Sequence, residues 1–106
     1  MYFVANWKMH GNKADIDKSK SLINLANTKK YKKNIIIYCP PYTLLKSFYN
    51  KVKNTNLSIG AQNCHSNYDY GAFTGSINVK LINQLEPNIL LLEIQKVETM
   101  EIMIKI

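Results

Sequence analysis

Short apolar runs alternate with longer stretches of mixed polarity along the chain, a spacing that predicts strands alternating with helices. Tyr2 to Asn6 reads as a short strand. From Ala14 to Ala26, the residues Ile16, Leu22, Ile23 and Ala26 make a loose helical stripe. Asn34 to Cys39 (NIIIYC) is apolar almost throughout, as expected of a strand buried on both faces, and Pro40 and Pro41 stop it. Thr43 is expected to cap a second helix whose inner side carries Leu44, Leu45, Phe48 and Val52. Leu57 to Ala61 predicts a third strand. Gln62 to Gly75 is a polar loop rich in Asn, Tyr and Gly. Asn78 to Leu85 predicts a short helix presenting Val79, Leu81, Ile82 and Leu85. Pro87 breaks the pattern, and Ile89 to Leu92 reads as a fourth strand.

Each crossover is long enough to return the chain to a parallel neighbour, so the order argues for an α/β layered fold. Ligands in such folds sit at the carboxyl ends of the strands. Asn6 and Lys8 follow the first strand there, with Trp7 between them. A lysine ammonium at that place neutralises a phosphate or polarises a developing oxyanion, and an asparagine amide orients the same oxygen. On spacing alone, an ordinary loop lysine is the more economical reading, because polar residues commonly follow strands.

Composition narrows the choices. The net charge is +7, and all 14 basic residues are Lys. Absence of Arg weakens a nucleic-acid reading, since bidentate recognition of phosphate and base edges favours guanidinium. Lys, Asn and Ile make up 40 of the 106 residues; their A/T-rich codons account for much of the basicity. Lys29, Lys30, Lys32 and Lys33 form the densest cluster and read as a solvated turn. With no apolar run of 18 residues, no membrane span is expected. The start of the sequence lacks the features of a secretory signal, so Cys39 and Cys64 are expected to be reduced thiols in a cytoplasmic chain.

FVANWKMHG, from Phe3 to Gly11, resembles the opening of triosephosphate isomerases, usually NWKMNG. PPYTLL is similar to the family's segment after the second strand. IGAQNC and GAFTGSI resemble its third strand and the end of its third loop. The resemblance covers about residues 2 to 92. It implies the N-terminal half of a (β/α)8 barrel, about four strands with their helices. It also implies interconversion of dihydroxyacetone phosphate and glyceraldehyde 3-phosphate in glycolysis and gluconeogenesis, without cofactor or metal. The family is itself the standard example of a glutamate base paired with a neutral histidine electrophile. Carried over by motif, Asn6 and Lys8 are the substrate-binding pair, and Gln62 and Asn63 support the site. Thr74 and Gly75 lie in the loop that reaches the partner subunit of the family's homodimer. Tyr68, Tyr70 and Phe73 in that loop are interface anchors on this reading rather than a nucleic-acid stacking platform. His10 stands where the family usually has Asn, and His65 lies in the loop; neither is assigned a catalytic role.

The resemblance stops after the fourth strand. Counted from Thr74, the family's histidine electrophile falls on Ile94, and no histidine follows His65. Glu86, Glu93, Glu98 and Glu101 do not match the motif of the base. The tail from 93 to 106 is unrelated to the family as written. Read one base earlier, the codons for Leu92 to Lys96 permit Gly, then Asn or Asp, then Ser and Glu, one base change from the family's GHSE. The tail is therefore expected to be out of frame, which sequencing the gene would decide. On this reading the residues are a truncated isomerase, inactive alone. The alternatives are a non-catalytic remnant of a degenerate gene and one half of a split enzyme. A small basic binding protein of another kind is the reading from a different class. Four strands without the rest of the barrel would leave two sheet edges and the faces of NIIIYC and NILLL open, which predicts a weakly folded or associating chain.

Overall fold

The computed structural model describes residues 1–86 and 88–91. Ile94 and the 93–106 tail lie outside these residues. Strand β1 (Tyr2–Asn6) leads through a 3-10 segment (Lys13–Lys18) into α1 (Ser19–Asn27). Then come β2 (Ile35–Cys39), α2 (Tyr42–Val52), β3 (Leu57–Ala61), α3 (Val79–Leu85) and β4 (Leu90–Leu91). The strands form one parallel sheet in the order β1-β2-β3-β4. Strands succeeding one another with helical crossovers are the arrangement with which a (β/α)8 barrel begins.

Register assigns the two faces. Ala5, Tyr38 and Ile59 stand level, as do Phe3, Ile36 and Leu57. Five of them belong to the buried helix-side cluster, where Leu44, Leu45, Phe48 and Val52 of α2 pack with Ala26 and Ile82, and the partly buried Phe3 packs against it. Fully burying one such aliphatic or aromatic side chain contributes about 1.5–3 kcal/mol. The helix stripe on α2 is thus as the sequence predicts. Alternation leaves Val4, Asn6, Ile35, Ile37 and Cys39 on the opposite face, with Leu90 of β4. That face is only partly open. Ile35 and Leu90 are 39% and 40% exposed, whereas Ile37 and Cys39 are buried at 3% and 0%. The expectation that β2 exposes a whole face therefore needs correction: its exposure is confined to the first residue of the strand.

Two local readings also change. The helix expected from Ala14 splits into the 3-10 segment and α1. Asn12 and Asp15 form a reciprocal capping box at its start, so the helical path begins earlier and tighter than the apolar stripe implies. Thr43 is not the cap of α2. Pro41 occupies the N-cap position and its carbonyl accepts the Leu44 N–H at 2.9 Å. The fixed proline φ suits this entry, and Thr43 lies already inside the helix.

Candidate functional site

The ends of β1, β2 and β3 meet at one edge of the sheet. Asn6 and Cys39 are register partners, and the Trp7 N–H extends the pairing by donating to the Cys39 carbonyl at 3.0 Å. Beyond Trp7 the chain turns away. Its indole packs edge-on against Tyr38 and Phe48, with ring centroids 4.9 and 5.2 Å apart. Gly11 closes the turn at φ +112, and a β-carbon there would stand 2.6 Å from the indole. Only glycine meets both demands. Trp7 Nε1 and Tyr38 Oη are buried without a hydrogen-bond partner among the described residues. Burial pushes the Tyr38 phenol up to about 12, with the neighbouring indole opposing the shift.

Trp7 locks into the helix-side core, and its neighbours in sequence are left at the sheet edge. Lys8 is exposed and takes a left-handed backbone, φ +54, which is uncommon for a residue with a side chain. The Asn6 side-chain oxygen accepts the Lys8 N–H at 2.8 Å. That bond turns the Asn6 amide so that its NH2 group is the end left to donate. From the end of β3, Gln62 Nε2 donates to the Lys8 carbonyl at 2.8 Å and to the Cys39 carbonyl at 3.0 Å. Asn6, Lys8 and Gln62 are thereby brought together. Asn63 is not part of this group: its side-chain oxygen accepts from the Tyr42 hydroxyl at 2.8 Å, tying the loop to the start of α2. Burial raises Tyr42, against the lowering effect of the Asn63 bond. Burial alone pushes the Cys39 thiol up to about 12, so Cys39 offers no thiolate here. Cys39 and Cys64 are both free.

The loop after β3 is organised separately. His65 pairs with Asn78 as a bridge, and its N–H donates to the Ile77 carbonyl at 2.7 Å. Asn78 caps α3 through its side-chain oxygen, while its amide donates to the carbonyls of Asn67 and Asp69. Asn67 donates its backbone N–H to His65 Nδ1, and the His65 ring stacks on Phe73 at 4.4 Å. A cavity of about 100 Å³ lies inside the loop. Asp69 pairs with Lys80 at 2.7 Å, which holds its carboxyl below the usual range. Lys80 also lies 4.3 Å from the Tyr70 ring centroid. Tyr68, Tyr70 and Phe73 are exposed, as are Thr74 and Gly75 at the tip, where Gly75 has φ +78. No hydrogen bond among the described residues joins this tip to Asn6 or Lys8. His10 is exposed beside the first turn. The described residues hold no group of three or more His, Cys, Asp or Glu placed to bind a metal, and no helix long and apolar enough to cross a membrane.

A left-handed lysine and an asparagine amide, held together at the carboxyl end of the first strand of a parallel sheet, bear comparison with known proteins. The family model for triosephosphate isomerase matches residues 1–93. The chain belongs to the triosephosphate isomerase family. It is 38% identical over 84 residues to the triosephosphate isomerase of Wolbachia pipientis wMel, covering 77% of this chain and 32% of that protein. To the enzyme of Bradyrhizobium diazoefficiens it is 35% identical over 79 residues, 74% of this chain and 31% of that one. Among solved structures, triosephosphate isomerase from Bartonella henselae superposes with a TM-score of 0.69 at 26% identity, over 79% of this chain and 33% of that one. The chain thus spans about a third of the length of the triosephosphate isomerases it matches. Its parallel sheet with flanking helices is part of the family's barrel.

Gln62 is the member of the group that sequence reading undervalued. Its motif marks it as a supporting residue, but its two partners lie 54 and 23 residues away. No local pattern signals them.

Proposed function

We propose that the Asn6–Lys8 edge binds a triose phosphate, as the family resemblance implies, and that these 106 residues do not isomerise it by themselves. The observation that carries the first half is the orientation of the pair. Asn6 Oδ1 is engaged by the Lys8 N–H, so the edge offers the Asn6 amide donor two residues from the Lys8 ammonium. Two such donors suit an anionic or carbonyl oxygen. Lys8 makes no ion pair among the described residues, so its charge is free for a ligand. The second half rests on the sequence: the electrophile position falls on Ile94, and no glutamate matches the base. Each positioned proton-transfer group contributes roughly 10²–10⁴-fold, so lacking both is decisive for the rate.

Binding should be weak. One lysine at about 4 Å from a phosphate charge contributes about 1 kcal/mol at a hydrated edge. Thr74 and Gly75, at an exposed tip, are available to a partner subunit, in keeping with the family's homodimer. A cytoplasmic place in glycolysis and gluconeogenesis belongs to the same reading. The partly exposed Tyr2, Ile35 and Leu90 favour, as a second reading, one half of a split enzyme completed by another polypeptide.

Calorimetry with 2-phosphoglycolate tests the binding. We expect dissociation in the millimolar range, weakened about fivefold in Lys8→Met. No binding, or equal binding by Lys8→Met, would remove the proposal. Isomerase assays of the chain alone, and mixed with a separately made polypeptide carrying the rest of a family barrel, test the rest. Turnover by the chain alone within tenfold of an ordinary family member would refute the inactive reading.

A further inference from the structure

We propose that the amino-end face of the sheet, opposite the Asn6–Lys8 edge, binds the phosphate backbone of a nucleic acid without reading its sequence. This inference does not rest on the function proposed above.

Charge is unevenly placed along the chain. Between Asp17 and Asp69 there are nine Lys and no Asp or Glu, while all seven acidic residues lie outside that stretch. A/T-rich codons account for many lysines, but not for the lack of acidic residues among them. The fold then gathers five of the nine. The turn carrying Lys29, Lys30, Lys32 and Lys33 leads into β2, and the turn carrying Lys53 leads into β3. These strands are parallel neighbours, with Ile36 level with Leu57, so both turns lie at the amino end of the sheet. Asn56 ties the second turn to the foot of α1. Its N–H donates to Asn27 Oδ1 at 3.1 Å, and its Nδ2 donates to the Ala26 carbonyl at 3.4 Å. All five lysines are exposed, and none makes an ion pair among the described residues. Lys51, at the end of α2, faces Asp17 at 3.6 Å and is not counted with them.

Helix ends explain only part of this cluster. A cation beside the last carbonyls complements the helix dipole within the final turn. Lys32 and Lys33 lie well past Asn27, the last residue of α1, and are not needed for that. The chemistry of the face selects the partner. Lysine ammoniums are point charges that neutralise phosphates one by one, and this term supplies nearly all sequence-independent binding to nucleic acid. The missing Arg removes bidentate reading of base edges and leaves the backbone term in place. Asn34 and Asn54 stand among the lysines and are of a type that bonds phosphate and sugar oxygens. A lipid surface would instead draw in apolar side chains. Tyr31, the one aromatic of these turns, is half-buried against the core.

The test follows the anisotropy of a fluorescein-labelled DNA duplex titrated with the full chain, between about 50 and 200 mM salt. Each neutralised phosphate adds about −0.9 to the slope of log K on log salt, so four or five lysine contacts give a slope of about −4. Lys32→Gln combined with Lys33→Gln should make that slope shallower by about 2. Lys13→Gln combined with Lys20→Gln removes the same charge from the segment that follows β1, and should leave the slope unchanged. Trp7 emission in urea checks that both double variants fold as the parent chain does. Duplexes rich in A·T and in G·C should bind alike. Equal effects of the two double variants would show net charge alone at work and overturn the proposal. So would absence of binding at the lowest salt, a sequence preference beyond about tenfold, or tighter binding to phosphatidylserine vesicles than to the duplex.

Discussion

Replacing Phe48 by alanine should cost the fold about 3–5 kcal/mol, the range for truncating a large buried aromatic. Phe48 is fully buried at the centre of the helix-side cluster. Its ring lies 5.2 Å from Trp7 and 5.3 Å from Tyr38, both edge-on, so two aromatic pairs are lost along with the buried area. Each such pair contributes about 0.5–1.5 kcal/mol beyond area, which places the expected loss in the upper part of that range. Small domains have a total stability of about 5–15 kcal/mol, so the change takes a large share of it. Trp7 is the single tryptophan and touches the substituted ring, so its emission reports unfolding at the right place. With a urea slope of about 2 kcal/mol/M, the midpoint should fall by roughly 2 M. Ile35→Ala is the control, because Ile35 is exposed on the other face of the sheet and should move the midpoint little. Equal shifts for the two variants would refute the assignment of the core to the helix side. The same experiment bears on the site, because Phe48 supports the indole that anchors the segment between Asn6 and Lys8.

Four further outcomes are expected. Lys8→Gly should raise stability by about 1 kcal/mol by removing left-handed strain, while weakening phosphoglycolate binding about fivefold; chemical denaturation and calorimetry check the two effects. Asn78→Ala should lose about 0.5–2 kcal/mol from the α3 cap alone, and hydrogen exchange should accelerate in the loop from Asn67 to Tyr70 that its amide holds. Cys64 should react with iodoacetamide well before Cys39, whose thiol is buried and pushed up to about 12; mass spectrometry of timed samples would show equal rates if this is wrong. Asp69 is depressed from 3.8, first by its Lys80 partner, so the stability it adds is present above that value and lost as pH falls through the lower folded-state value. The stability difference between the chain and Asp69→Asn should therefore hold from neutral pH to about pH 4 and shrink below it; a difference that changes between pH 5 and 8 would contradict the assignment.

Strands were legible wherever burial is one-dimensional in sequence. The boundaries Tyr2–Asn6 and Leu57–Ala61 coincide with the apolar runs, and the α2 stripe Leu44, Leu45, Phe48 and Val52 is buried as its spacing predicts. Helix starts were less legible, because they depend on which polar group satisfies the first N–H donors. At Asn12 the capping box was present in the sequence but lies outside the apolar stripe. At Thr43 the preceding prolines decided the entry instead. On α3, only Ile82 of the four apolar positions is buried; Leu81 and Leu85 are each 37% exposed. At the site, motif resemblance drew attention to Asn6, Lys8 and Gln62. The left-handed turn at Lys8 was invisible, because lysine does not signal positive φ as glycine and asparagine do. The contacts of Gln62 were invisible because they form only when three distant strand ends converge.

Asn78 has a consequence for how this fold tolerates change. A single side chain starts α3 and closes the loop, and the bridge to His65 fixes the loop's two feet. Between those feet the segment behaves as a cassette. Lengthening it does not disturb the helix start, since the donors to be satisfied stay with Asn78. The entropic cost of a longer flexible loop grows slowly, by about 0.6 kcal/mol for each doubling. Insertions at the exposed tip, Thr74–Gly75, should thus be accepted by the scaffold far more readily than a single substitution at either foot, and a grafted peptide inserted there would be displayed on a frame already clamped shut.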